Sequence, residues 1–171
     1  MRALLVYESM FGNTRAVAEA VAEGLRRHGD VELVEVGDAP DAVEDVELLV
    51  IGAPTHAFGM SRPTTRDDAA QRARAVGTSL VSRREGVREW VARVRLPAPI
   101  GLAVFDTKVA RPRLPGSAAK GIVKLLRGAP VDLLAVPRHF LVVDTLGPLV
   151  DGETERAREW GTALARHVPA R

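Results

Sequence analysis

The chain of 171 residues has the length of one domain, and its 46% hydrophobic and 27% charged residues are typical of a globular protein rather than a disordered or fibrous one. It has no cysteine, which excludes a disulfide framework, and the apolar stretch before Glu8 is too short for a signal peptide or a membrane span. The net charge of +2 gives no indication of nucleic-acid binding. We therefore expect a soluble, cytoplasmic, single domain over residues 1–171 with no nucleic-acid partner.

The first part of the chain alternates strand-like and helical segments. Residues 3–7 form an apolar run of strand length, and the segment after them carries apolar residues on one face at helical spacing. Gly29 is predicted to cap that helix. Residues 31–36 predict a second strand, whose glutamates favour a sheet edge, and residues 46–51 predict a third, buried strand that stops before Gly52.

The second part continues the alternation. The pattern predicts, in order, helical structure over 61–94 with an irregular middle at 77–84, a buried strand at 100–105, a helix at 117–126, a fifth strand within 131–143 and a closing helix. The fifth strand is expected to be interrupted near Pro137, because proline cannot donate to a strand ladder. Asp151 is the predicted N-cap of the closing helix.

Five strands that alternate with helices predict right-handed crossovers and a doubly wound, five-stranded parallel sheet with helices on both faces. In such sheets, ligands bind beyond the carboxyl ends of the strands, where the strand order reverses. The loops after the first, third and fourth strands, at residues 8–14, 52–62 and 106–115, are therefore the candidate site.

The first of these loops has the composition of a phosphate site. Ser9, Asn13 and Thr14 surround Gly12 where a helix begins, so backbone amides, hydroxyls and the positive end of the helix converge. The same residue types are ordinary helix caps, and this loop alone does not decide between the two roles. Neither GxxxxGK[ST] nor GxGxxG occurs, so no motif supports a nucleotide triphosphatase or a dinucleotide-binding dehydrogenase.

Taken together, the loops resemble the flavin-binding loops of the flavodoxin-like family. Residues 9–14 (SMFGNT) are similar to its phosphate loop for flavin mononucleotide (FMN), and residues 52–59 (GAPTHAFG) to the loop along its isoalloxazine ring. Residues 105–107 (FDT) open a segment where the family has another flavin-contacting loop, and the end of the chain, with GPL at 147–149, is also similar. The resemblance implies a sheet of order 2-1-3-4-5 and one noncovalently bound FMN.

The resemblance assigns cofactor-binding roles to residues in all three loops and implies no catalytic side chain and no metal ligand. These residues are Ser9, Met10, Phe11, Gly12, Asn13, Thr14, Pro54, Thr55, His56, Ala57, Phe58, Gly59, Asp106, Thr107 and Lys108. The stacking tryptophan and tyrosine of many flavodoxins are missing, so His56 and Phe58 are the stacking candidates and looser binding is expected. Lys108, Arg111 and Arg113 near the expected ring edge favour a negatively charged reduced flavin.

An electron carrier between a reductase and an acceptor protein is the first functional prediction. An alternative is an NAD(P)H-dependent FMN quinone reductase, because SMFGNT with GAPTHAFG is also similar to the tryptophan-repressor-binding-protein type of that enzyme. A flavin-free interaction module is a third possibility. The partner is thus a redox protein or a small-molecule electron acceptor, and the oligomeric state is not predicted. The arginines between residues 62 and 95 favour a solvated helix face over a docking face for an acidic partner or a phosphate-bearing ligand.

Two other chemistries deserve comparison with this one. Ser9, His56 and Asp106 follow three different strands, but the serine does not lie in a GxSxG elbow, which disfavours a hydrolase triad. The four histidines are scattered without ligand spacing, which disfavours a metal site. His56 is either a loop residue hydrogen-bonded to the backbone or a group that interacts with the flavin, and the former is slightly favoured.

Overall fold

Strands and helices alternate along residues 1–169, the part of the chain that the computed structural model describes. The elements are β1 (Arg2–Tyr7), α1 (Asn13–Arg26), β2 (Asp30–Glu35), β3 (Leu48–Pro54), α2 (Pro63–Ala75), α3 (Val87–Arg93), β4 (Ile100–Val109), α4 (Ala118–Leu125), β5 (Val131–Leu133), β6 (Arg138–Val142) and α5 (Glu153–Ala165). Over this range no helix combines the length and apolar character needed to cross a bilayer.

The strands form one parallel sheet of order β2-β1-β3-β4-β5, with β6 also paired to β4. β5 pairs with the start of β4, and β6 pairs with its end, so the two short strands share the fifth position of the sheet. Pro137 lies in the gap between them. The predicted doubly wound fold, the order 2-1-3-4-5, the edge position of β2 and the interrupted fifth strand are all confirmed.

Hydrophobic side chains fill both faces of the sheet, because alternate residues of a strand point to opposite sides. In β1, Leu5 packs with α1 and α5 on one face, while Leu4 packs with Trp90 of α3 on the other. Phe105, Phe140 and Trp160 contact one another edge to face under α5, with ring centroids 5.8 to 6.1 Å apart.

Glycines allow α1 and α5 to approach closely. A Cβ atom on Gly24 would lie 2.1 Å from the carbonyl oxygen of Arg158, and one on Gly161 would lie 2.3 Å from that of Val21. Either distance is far inside van der Waals contact. The two helices therefore cross backbone against backbone at these positions.

Two strands extend further than the sequence pattern predicts. β3 runs to Pro54 rather than ending before Gly52, and β4 runs to Val109 rather than to Phe105. The added residues pair with one another, with Ala53 opposite Asp106 and Pro54 opposite Thr107. The two strands thus support each other beyond the point where their apolar runs end.

Both predicted helix caps are wrong. The residue after α1 is Arg27, in a right-handed conformation, and Gly29 is not in the left-handed region. Gly29 is instead packed against the chain start, where a Cβ atom would lie 2.0 Å from the carbonyl oxygen of Met1. At α5 the N-cap is Gly152, with φ of 85°, rather than Asp151.

Candidate functional site

A cavity of about 400 Å³ opens at the carboxyl edge of the sheet, beyond the ends of β1, β3 and β4. The strand order reverses between β1 and β3, so this is the position expected for a ligand in a doubly wound sheet. Most of the predicted site residues line the cavity: Ser9, Met10, Phe11, Asn13, Thr14, Pro54, Thr55, His56, Ala57, Thr107 and Lys108.

The remaining four predicted residues lie outside the cavity lining. Gly12 is the N-cap of α1, Phe58 and Gly59 belong to a surface turn, and Asp106 is fully buried. The cavity is completed by Val109 and Leu114 of the predicted loop at 106–115, and by residues that the sequence did not suggest, namely Thr65, Asp68, Ala69 and Arg72 of α2 together with Val142 and Thr145. No local motif marks these residues, because only the packing of α2 and of two distant loops brings them to the cavity.

The loop after β1 leaves the start of α1 without a cap from its N-cap residue. Gly12 has φ of 94°, and nothing lies within 4 Å of the position of a Cβ atom there, so conformation rather than space requires glycine. The side chain of Ser9, which precedes the N-cap by three residues, provides the capping hydrogen bonds instead. Its Oγ accepts the backbone N–H groups of Gly12 and Arg15, each at 3.2 Å.

Four backbone amides of this loop are left without a protein acceptor. The N–H groups of Met10, Phe11, Asn13 and Thr14 have no hydrogen-bond partner within residues 1–169. All four residues line the cavity, and the last two form the first turn of α1, where the helix dipole is positive. This arrangement is suited to an anion such as a phosphate group.

The same loop is anchored from behind by the segment before α3. The Ser82 N–H donates to the Ser9 carbonyl at 2.7 Å, and the Val81 N–H donates to the Met10 carbonyl at 2.9 Å. The Ser82 Oγ in turn accepts the Ser9 N–H at 2.9 Å. These three hydrogen bonds hold the backbone of Ser9 and Met10 in place through contacts within the protein.

A buried polar network adds to this anchoring. Glu8, at the end of β1, accepts hydrogen bonds from the Ser61 hydroxyl and from the Val87 N–H, the latter at 2.8 Å. Burial raises the pKa of Glu8, although both hydrogen bonds oppose that effect. Arg66 donates to the Ser61 Oγ at 2.9 Å and pairs with Glu89 at 3.1 Å. The network joins β1 to α2 and α3 directly behind the loop.

The second loop contains a tight turn in an unusual conformation. The N–H of His56 donates to the Gly59 carbonyl at 2.7 Å, and the N–H of Gly59 donates to the His56 carbonyl at 2.8 Å. Between them, Ala57 and Phe58 have φ of 41° and 75°, which are left-handed values that favour glycine or asparagine. The turn holds Phe58 on the surface with 58% of the residue exposed.

His56 is held in its neutral form by its surroundings. The Thr65 hydroxyl accepts the Arg62 N–H at 2.9 Å and donates its single proton to the Arg62 carbonyl at 3.1 Å. The Nδ1 atom of His56 lies 3.2 Å from the same hydroxyl. Burial and the nearby Arg66 lower the pKa of His56 to about 4. At neutral pH this residue does not change protonation.

The segment that begins at Asp106 is hydrogen-bonded to the start of α1 and also within its own loop. The hydroxyls of Thr14 and Thr107 are hydrogen-bonded at 2.7 Å, which links the start of α1 to β4. The Lys108 ammonium group donates to the Gly116 carbonyl at 2.9 Å, within the loop that follows β4.

The Asp106 side chain is hydrogen-bonded to several neighbouring strands and helices and does not line the cavity. One carboxylate oxygen is 2.7 Å from Nδ1 of His139, and the other accepts from the Ser117 hydroxyl at 2.6 Å, the Ala119 N–H at 3.1 Å and the Thr55 hydroxyl at 3.1 Å. The residue is completely inaccessible to solvent. It therefore connects β4 to β6, to the start of α4 and to the end of β3.

These hydrogen bonds also argue against a Ser-His-Asp hydrolase triad. Ser9 accepts backbone amides, His56 contacts Thr65, and Asp106 pairs with His139, so the three side chains do not form a relay. Within the described part of the chain, no group of three or more His, Asp or Glu side chains is placed to hold a metal ion.

The protein is an open, doubly wound α/β sheet with an anion-suited loop after β1 and a cavity at its switch point. Residues 5–80 match the family model described as flavodoxin. Comparison with curated proteins gave no match. The fold is therefore flavodoxin-like, and the family match lies in the first half of the chain.

Solved structures share the fold over nearly the whole chain. A flavodoxin from the domain Archaea is 21% identical with a TM-score of 0.64, covering 98% of this chain and 99% of the other. Oxidised flavodoxin 1 from Bacillus cereus is 17% identical with a TM-score of 0.68, covering 99% and 100%. A flavodoxin, WrbA-like protein from Agrobacterium tumefaciens is 20% identical with a TM-score of 0.58, covering 96% and 95%.

Proposed function

We propose that this protein binds one FMN noncovalently in the cavity and carries electrons between a reductase and an acceptor protein. The observation that carries the proposal is the set of backbone amides of Met10, Phe11, Asn13 and Thr14, which have no acceptor within residues 1–169 and line a cavity at the positive end of α1. The similarity to flavodoxins over both chain lengths supports the same proposal.

In this proposal, residues 9–14 hold the phosphate, and residues 54–59 and 106–108 flank the ring. FMN supplies the redox chemistry when it is bound, and the protein supplies position and electrostatics. Gly12 contributes the left-handed turn that exposes the amides, and Asp106 fixes Thr55 in the cavity wall. Phe58 is exposed and lies outside the cavity lining, next to Ala57, which belongs to it.

A comparison of FMN with riboflavin tests the phosphate role, because the two differ only in that group. We expect fluorescence titration to give an affinity for FMN at least about 100-fold higher than for riboflavin. Gly12→Ala should weaken FMN binding by about tenfold or more and leave riboflavin binding nearly unchanged, since the left-handed turn is strained by a Cβ atom.

Gly128→Ala is the matched control for this experiment. Gly128 also has a left-handed φ, of 91°, and also has nothing within 4 Å of a Cβ position, but it follows α4 rather than lining the cavity. It should therefore show the cost of backbone strain without a change in flavin affinity. Equal affinities for FMN and riboflavin, or no binding of either flavin, would contradict the proposal, and the second result would favour a flavin-free interaction module.

An NAD(P)H-dependent quinone reductase is the second candidate function. Arg72 and Lys108 both line the cavity, and a phosphate of a nicotinamide dinucleotide is a suitable partner for either charge. Steady-state oxidation of NADH or NADPH with a quinone acceptor separates the two functions, because an electron carrier alone does not catalyse this reaction. The cytoplasmic location and the single-domain organisation stay predictions from the sequence.

A further inference from the structure

Exposed apolar side chains lie in or next to three segments that line the cavity. Phe58, Leu114 and Leu146 are 58%, 51% and 43% exposed. Leu114 lines the cavity, and the backbone of Phe58 packs against Gly116, where a Cβ atom would lie 1.9 Å from the Phe58 carbonyl oxygen. The side-chain amide of Asn13 donates to the Leu146 carbonyl at 3.3 Å, which places the segment after β6 beside the loop at residues 9–14.

Basic side chains accompany these apolar residues. Arg111 and Arg113 precede Leu114 in the same exposed loop, and Arg72 reaches the cavity from α2. None of the three arginines forms an ion pair with another residue between positions 1 and 169, and Asp68 is the carboxylate that lines the cavity with Arg72. We call the surface formed by Phe58, Leu114, Leu146, Arg72, Arg111 and Arg113 the mouth face.

We infer that the mouth face is the docking surface for an acidic protein partner. Exposed large apolar side chains beside charges without ion-pair partners are typical of surfaces that bind other proteins. The arginines select a negatively charged partner and speed its association. The inference deepens the proposed function, on which it rests, by stating the charge of the protein that exchanges electrons at this cavity.

Two other occupants fit the mouth face less well. A second copy related by a two-fold axis would bring the same arginines against each other, and this repulsion opposes association. Proteins bind single-stranded nucleic acids through several exposed aromatic side chains on which the bases stack. Among the large hydrophobic residues exposed between positions 1 and 169, only Phe58 is aromatic.

The test uses the flavin-free protein, labelled with ¹⁵N, and two small probe proteins of opposite charge. Zinc-substituted rubredoxin is acidic, and mitochondrial cytochrome c is basic. We expect rubredoxin to shift the amide signals of the mouth face, with an affinity that falls about tenfold or more as ionic strength rises from about 20 to about 200 mM. Cytochrome c should produce no shifts at this face.

Charge reversal identifies the residues responsible. Arg111→Glu with Arg113→Glu should weaken rubredoxin binding by about tenfold or more, and Leu114→Ser should weaken it with less effect on its salt dependence. Arg26→Glu with Arg27→Glu makes the same change in net charge at the opposite end of α1, about 20 Å away, and should change the affinity less than about twofold.

Several results would overturn the inference: stronger binding of cytochrome c than of rubredoxin, shifts outside the mouth face, equal effects of the two arginine pairs, or a dimer in sedimentation that buries this face. Binding of duplex DNA in preference to rubredoxin would do the same. Failure of the flavin-free protein to bind FMN would contradict the proposed function but leave this measurement intact. FMN binding without a preference for the acidic probe would overturn the docking surface alone.

Discussion

Replacement of Asp106 by alanine gives a direct test of how the cavity wall is held in place. The carboxylate is buried and receives hydrogen bonds from His139, Ser117, Ala119 and Thr55. His139 and Thr55 retain some access to solvent, so water can replace their lost acceptor. Ser117 and Ala119 are buried, and their donors would be left without a partner.

The expected loss of stability follows from these contacts. Two stranded buried donors at about 2–3 kcal/mol each, reduced by about 1 kcal/mol through the relief of the desolvated charge, give a loss of about 3–5 kcal/mol in the free energy of unfolding. For a chain of 171 residues, an unfolding entropy of about 2.1 cal/mol/K per residue makes this a fall of about 8–14 °C in Tm.

Asp106→Asn is the matched comparison because it has almost the same shape. Its amide oxygen can accept from Ser117, Ala119 and Thr55 in place of the carboxylate oxygen, while its NH₂ group faces His139. His139 can then accept at Nδ1 if its proton moves to Nε2. The asparagine variant should therefore lose less than about half of the stability lost by the alanine variant.

Urea and thermal unfolding followed by circular dichroism measure both variants, and FMN titration measures the cavity. Asp106→Ala should also weaken FMN binding, because Thr55 loses the contact that fixes it in the cavity wall. The reasoning would be refuted by a loss below about 1 kcal/mol for the alanine variant, or by equal losses for the two variants.

Three further predictions concern other parts of the molecule. The pKa of His56 is about 4 in the folded protein and 6.5 in a free side chain, so stability should fall as pH drops from 6.5 to 4, by up to about 3 kcal/mol, and His56→Gln should flatten that pH dependence in urea unfolding. Gly24→Ala should lower the unfolding free energy by about 2 kcal/mol, because its Cβ atom would overlap the α5 backbone, against about 1 kcal/mol for Gly128→Ala. Arg111→Glu with Arg113→Glu should lower the midpoint potential of bound FMN by about 20–70 mV in a redox titration, since negative charge disfavours added electrons.

Each of these predictions has a result that contradicts it. The sign for His56 follows from uptake of its proton by the unfolded chain and not by the folded one, so an unchanged pH profile in His56→Gln would show that another group is responsible. Equal stability of the two glycine variants would mean that α1 and α5 move apart at little cost. A potential that rises or stays constant would show that the arginines do not act on the cofactor.

The sequence was a good guide wherever structure depends on local alternation. The apolar run of β1, the helical stripe of α1 and the break at Pro137 follow from the periodicity of side chains and from the missing amide of proline. The composition of residues 9–14 marked the loop as a phosphate candidate, whereas the left-handed φ of 94° at Gly12 became visible only in the structure. Both helix caps were wrong because a glycine or aspartate near a helix end has several uses that differ only in tertiary context.

The alternation of strands and helices was thus enough to predict the doubly wound sheet and the loops that meet at its carboxyl edge, and the family resemblance implied the strand order. Which side chains of those loops face the cavity depends on the folded chain. Because β4 continues past Phe105, Asp106 points toward α4 and becomes a buried brace, while Thr107 meets Thr14 in the cavity. The tertiary structure also placed Arg72 of α2 in the cavity wall, since only packing in three dimensions brings a polar helix to a site that its own sequence does not mark.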